Sequence, residues 1–417
     1  MNRLFAAILA VVVLSSVTIA FDSANGPAHV PTLDDLLTLK SVGGTQISPD
    51  GKWVAYTVGY GDFKQDAFVT QIWLADTASG KSIQLTRSDK SSTTPRWSPD
   101  GKWLAFLSNR IEDKNQIFLI DPTGGEAQQL TKSETAIGNF NWSDDGKTIA
   151  YTANEPAAQP LKDRKDYYGD YDVVREGYTY VHLWTMDVAE GMKAPIVGKQ
   201  RTKKKDFSVD SFSWSHDGSS IVFSATINPD LIQGVTSDIY LLKLSDDSVK
   251  KIVGQPGPDN NPRFSPDGKQ IVFSSAMGNT TFFASNSRLA IVGVDGGTPR
   301  SITDSFDENP GLLDWKANGI YFAGSQKTAS HLFRLDPATS KITRISAPDN
   351  LMAGSFSFTR NADRLAFTIA SPASISEVFV SDMRSFAPRK LTDFNDQARS
   401  FILGTREVIS WKSQDGA

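Results

Sequence analysis

The 417-residue chain contains no cysteine, so it has no disulfide, no thiolate metal ligand and no cysteine nucleophile. Histidine is nearly as scarce. His29, His182, His216 and His331 are the whole complement, and none stands at the spacing of a metal-binding pair. A basic excess is also missing. The formal net charge is −4 and the pI near 5.7, which argues against nucleic acid or an anionic membrane as partner. Lys203 to Lys205 reads as a solvated loop. Long apolar runs are absent beyond the N-terminus. There Leu4 to Leu14 forms an eleven-residue apolar stretch, short of the roughly 18–20 residues that span a bilayer. Arg3 precedes it, and small residues ending in Ala20 follow it, the three-part build of a secretory signal. The expectation is a signal peptide over residues 1–20. The mature protein is then exported, periplasmic or extracellular, with no membrane association after cleavage.

What the chain has in abundance is one ten-residue phrase. Ile47-Ser-Pro-Asp-Gly-Lys-Trp-Val-Ala-Tyr56 returns as Trp97 to Phe106, Trp142 to Tyr151, Trp214 to Phe223 and Phe264 to Phe273. It returns once more as Phe358 to Phe367, and in shortened form as Trp315 to Phe322. From one serine slot to the next the steps are 50, 45, 72, 50, 51 and 43 residues. A period of this length built from strand-sized pieces belongs to a radial β-propeller. Seven copies predict an all-β, seven-bladed β-propeller of four-stranded antiparallel blades. In the second copy, Thr94 to Ser98 reads as the inner strand and Ser98-Pro-Asp-Gly101 as the turn. Proline suits its first corner and glycine its left-handed position. Lys102 to Leu107 is the apolar second strand, Gln116 to Asp121 the third, and Ala127 to Thr131 the outer one. The aromatic residues read as blade-to-blade core, each worth roughly 1.5–3 kcal/mol when buried. His182 and His331 open third strands where other blades carry Gln71, Gln116 or Glu377, so they read as polar edge-strand positions. The Asp-Gly turns lack the alternating oxygen ligands of a calcium loop. No metal site and no cofactor is expected.

The remaining organisation is a tether and short helix over 21–43, with Thr32 as its cap, and the propeller over 44–393. Every copy runs from inner to outer strand, so the ring is expected to close without a strand latch, by packing of the first blade on the last. The long third step leaves 154–180 as an insertion between strands two and three of blade three. Smaller insertions are expected at 59–70 and 276–287. Four alternating strands begin and end on one face. The termini and these loops therefore share a face, opposite the Ser-Pro-Asp-Gly turns.

The helical segment 32–40, the seven blade copies and the ending Glu407-Val-Ile-Ser-Trp-Lys-Ser-Gln-Asp-Gly416 together resemble the prolyl oligopeptidase family. The nearest likeness is to its acylaminoacyl-peptidase and dipeptidyl-peptidase-like members. The resemblance implies that 394–417 is a linker and the first strand of an α/β-hydrolase domain. That domain is missing: no Gly-x-Ser-x-Gly elbow occurs in the chain, so no catalytic residue is assigned. The implied partners are the missing C-terminal α/β-hydrolase domain and, for the complete serine peptidase, short peptides. The propeller is then a non-catalytic gate for substrate. Arg175, Glu176, Tyr178, Tyr168 and Tyr171 in the blade-three insertion are the candidates for that gating. The alternative is a free-standing TolB-like periplasmic propeller that binds protein partners.

Overall fold

The computed structural model describes residues 27–169, 171, 173, 176–371, 374–404 and 407–414; the signal segment and Arg175 lie outside them. Thr32 caps the helix Leu33–Thr38, and Asp35 returns the bond to the Thr32 N–H, a reciprocal capping box. Seven four-stranded antiparallel meanders follow, over residues 41–84, 92–129, 137–200, 208–253, 259–301, 311–344 and 352–390. By hydrogen bonding these make six sheets, because one parallel bridge between Ser330 and Met352 joins the last two blades. The buried apolar residues settle the count. They fall into seven clusters, each spanning one pair of neighbouring blades, including the pair formed by the last and the first. Seven seams close a ring of seven.

The phrase that marks each blade explains this packing. Its final aromatic, at Tyr56, Phe106, Tyr151, Phe223, Phe273, Phe322 and Phe367, is at most 1% exposed in every blade. Its serine and aspartate build the turn. The Ser98 hydroxyl donates to Asp100 at 2.6 Å and accepts from the Trp103 N–H at 3.0 Å. Gly101 takes φ 72°, where a side chain would be strained. The Ser98 hydroxyl and the Lys102 N–H hold the Asp100 carboxyl below its ordinary pKa.

The tryptophan of the phrase does more than fill space. The indole N–H of Trp97 donates to the Gln46 carbonyl of the preceding blade at 2.9 Å. Trp142 reaches Arg96 O at 3.3 Å and Trp214 reaches Asn141 O at 3.2 Å. Each is a staple from one inner strand to the next. Trp97→Phe keeps a six-membered ring but removes the pyrrole part of the indole with its N–H, and so leaves a half-enclosed carbonyl without its donor. It is expected to cost about 1–3 kcal/mol, read as a lower urea midpoint; a shift under ~0.5 kcal/mol would show that packing alone joins those blades.

Several expectations need correction. His182 and His331 are not edge residues but fully buried, because the outer strand covers the third and the adjacent blade covers both. Their Nδ1 atoms pair with the Thr202 and Ser346 hydroxyls at 3.1 and 3.0 Å. Gln71 and Glu377 engage Thr86 and Thr392 in the same way. Burial holds both histidines below the ordinary pKa. The insertion at 59–70 is a lengthened hairpin rather than a loop: strands Trp53–Asp62 and Ala67–Asp76 stay paired to Asp62↔Ala67. The blade-three insertion is not all loop, since Gln159–Tyr168 is helical.

The first and last blades share no strand, as expected, but packing is not their sole closure. Ile47 N–H donates to Ser357 Oγ at 2.9 Å, and Arg364 reaches Gly51 O at 2.8 Å. Outside the ring, His29 and Phe401 form a parallel bridge, and Lys40 exchanges two bonds with the Gln397 amide at 2.8 and 2.7 Å. Beyond it the expected strand does not form. Described residues 407–414 carry no strand, and Val408, Ile409 and Trp411 are exposed, since a lone strand has no ladder to join.

Candidate functional site

The ring has two unlike faces. On the turn face a cavity of about 460 Å³ opens into the centre of the ring. Every blade contributes to its wall, through Gln46, Arg96, Asn141, His216, Pro266, Lys316 and Ser357. A β-bulge interrupts the pairing of inner and second strands in each blade, bending the inner strand around the channel. At the mouth, His216 Nδ1 meets Asp144 of the neighbouring blade at 2.7 Å. That bond raises the imidazole pKa.

The residue before the large apolar residue that opens each phrase is polar in all seven blades: Gln46, Arg96, Asn141, Ser213, Arg263, Asp314 and Ser357. They occupy equivalent register, six of them opposite an alanine or valine of the second strand, as in Arg96↔Ala105 and Arg263↔Val272, and Asp314 opposite Tyr321. The sequence reading missed this polar ring. Aligning the seven copies on their serines would have exposed it.

The opposite face carries the strand-two-to-three loops and both chain ends. Among the described residues, the strongly exposed large apolar side chains lie on this face, apart from Ile83 and Val197 at outer strands. They include Leu33, Phe63, Phe68, Tyr167, Leu231, Ile232, Phe283 and Trp411. Such a one-sided apolar surface marks an interaction site. The gating candidates lie here too, but not as a group. Tyr168 and Tyr171 are exposed, with the Arg164 guanidinium 5.1 Å from the Tyr171 ring centre. Glu176 is exposed. Tyr178 instead donates its hydroxyl to Asp230 of the next blade at 3.1 Å, which ties the insertion to the blade-four loop. Among the described residues no cluster of three or more His, Asp or Glu could hold a metal. None of the described helices is long and apolar enough to cross a membrane.

Residues 40–179 match the family described as TolB beta propeller domain. Dipeptidyl-peptidase 5 of Porphyromonas gingivalis is 27% identical over 371 residues, covering 83% of this chain and 54% of that protein. The resemblance to the propeller portion of prolyl-oligopeptidase-family peptidases therefore stands. Among solved structures, Pyrococcus horikoshii acylaminoacyl peptidase superposes with TM-score 0.65 at 19% identity, over 87% of this chain and 54% of that one. The propeller domain of the Trilobed protease from Pyrococcus furiosus, described as having an open velcro topology, gives TM-score 0.62 at 18% identity. That match covers 86% of this chain and 99% of that domain. These two likenesses concern the fold. The chain spans about half the length of the Porphyromonas peptidase it matches.

Proposed function

We propose that this propeller is the substrate-gating portion of an exported serine peptidase that hydrolyses short peptides. Its loop face is the docking surface of an α/β-hydrolase domain. The observation that carries this reading is the one-sided distribution of exposed apolar residues, centred on the loops and the two chain ends. A propeller seated there leaves the central channel as a narrow route to the covered surface, so folded proteins are excluded and short peptides admitted. Tyr168, Tyr171 and Glu176 stand on the covered face and supply aromatic surface and a carboxylate that attracts a peptide α-ammonium. Arg175 is proposed to act beside them.

The test uses the full-length product of the gene. It is expected to label with a fluorophosphonate, to cleave dipeptidyl and tripeptidyl reporters, and to leave folded casein-sized substrates untouched. Deleting 159–177 should relax that size limit. A product without any fluorophosphonate-reactive serine would overturn the reading in favour of a protein-binding, TolB-like role. The mature protein is expected to begin at Phe21, as N-terminal sequencing of the exported form would show.

A further inference from the structure

The polar ring of the central channel is unbalanced in charge, and one of its two arginines, Arg96, lines the cavity. It holds two guanidiniums, Arg96 and Arg263, and one carboxylate, Asp314. Asp314 is already engaged, 2.8 Å from Lys316 Nζ, and it is the carboxylate that acts on Arg263. Arg263 also donates to the Pro262 carbonyl at 2.8 Å. Among the described residues the Arg96 guanidinium has neither an ion pair nor a hydrogen bond, although burial and the charge of Arg263 both work against its protonated form. Blades two and five are three places apart in a ring of seven, as far as two blades can be. Repulsion between their arginines therefore acts across the channel, not along a seam.

A channel-facing cation that is repelled by a second one and left without a carboxylate is unfavourable, and arginine cannot relieve it by losing its proton. Folding alone gives no reason for the pair: asparagine, serine or glutamine fills the same position in four other blades. A guanidinium matches a carboxylate through two parallel N–H···O bonds. The cavity above Arg96, about 460 Å³, is large enough for the end of a peptide.

We infer that the channel ring binds the free α-carboxylate of a short peptide, held by Arg96 on one side and Arg263 on the other. This rests on reading the propeller as a peptide gate and adds a chemical preference to that gate. Peptides enter carboxylate-first from the turn face, and blocked chain ends are disfavoured.

Binding is measured on this chain by calorimetry at low ionic strength, with no hydrolysis involved. The probes are Ala-Ala-Ala, its C-terminal amide, and inorganic phosphate. The free acid is expected to bind at least roughly tenfold more tightly than the amide, since only it offers a charged bidentate acceptor. Arg96→Gln and Arg263→Gln should each abolish that preference. Arg96→Gln should also leave the ligand-free melting temperature equal or higher, because an unpaired channel-facing cation is removed; a purely structural arginine would lower it. Equal binding of acid and amide would overturn the inference, as would an unchanged preference in both variants. Binding of phosphate without the peptide acid, or of neither, would also overturn it. None of these results touches the docking and size-limit predictions for the full-length protein, so failure of the carboxylate site and failure of the gating role are separately visible.

Discussion

Tyr56→Ala should remove about 3–5 kcal/mol of stability, the usual cost of deleting a buried aromatic side chain. It should also open the ring at one place. Tyr56 is 1% exposed and packs with Val378, Val380 and Leu391 of the last blade. Phe394 meets it edge-on at 6.5 Å, and burial pushes the phenol up to about 12. Phe223 holds the equivalent position between blades three and four, stacked 5.3 Å from Tyr240, and Phe223→Ala should cost a similar amount. The two seams differ in connectivity. The chain passes directly from blade three to blade four, whereas the last and first blades meet only through side chains, side-chain-to-backbone bonds and the clasp at His29 and Phe401. Hydrogen exchange should therefore accelerate in residues 41–62 and 364–382 for Tyr56→Ala. For Phe223→Ala no comparable local hot region is expected. Identical exchange maps for the two variants would show that the closing seam is no weaker than the others.

Asp259→Asn should stabilise the protein at neutral pH by about 2–3 kcal/mol, from a pKa displacement of roughly two units. Asp259 opens the inner strand of blade five and is fully buried. One carboxylate oxygen accepts from the Gln255 amide at 3.0 Å, and the other has no partner. Burial pushes its pKa up to about 6, and nearby Asp238, itself paired with Lys251 at 2.7 Å, adds to the shift. A carboxyl with a raised folded pKa binds its proton more tightly when folded. This site therefore destabilises above about pH 6, and the penalty disappears as the pH falls to about 4, near the unfolded value. The turn aspartates run the other way. Asp100, Asp145 and Asp217 have folded pKa values below the ordinary one, so their contribution is present above about pH 4 and lost on further acidification. Thermal unfolding of both proteins from pH 7 to pH 4 isolates Asp259, because the histidines titrate in each. The difference should shrink steadily toward pH 4; a difference constant with pH would contradict the assignment.

The blade count and strand order were legible because one phrase encodes a turn, an apolar strand and a buried aromatic together. Five copies are marked by Ser48, Ser98, Ser143, Ser215 and Ser265, and the two that carry Lys316 and Thr359 in that slot keep the spacing. What was not legible arises between copies. The Trp97 staple to Gln46 and the His216–Asp144 pair join residues of different blades, dozens of positions apart. Their partners are fixed by the packing of one blade on the next, which local spacing does not express. The gating candidates show the same limit. Tyr178 looked equivalent to Tyr168 in sequence, yet one is tied to Asp230 and the other is exposed. Arg96 stayed hidden for a different reason: a single arginine before a tryptophan looks ordinary until seven such positions are seen to face one another.

Because the apolar interior is divided among seven seams, none of the seven apolar clusters is centred on the axis of the molecule. Recolouring one bead of the polar necklace, neutral to cationic or cationic to acidic, changes the charge that the channel presents while leaving every hydrophobic contact in place. Such a toroid can change its taste without relearning its shape.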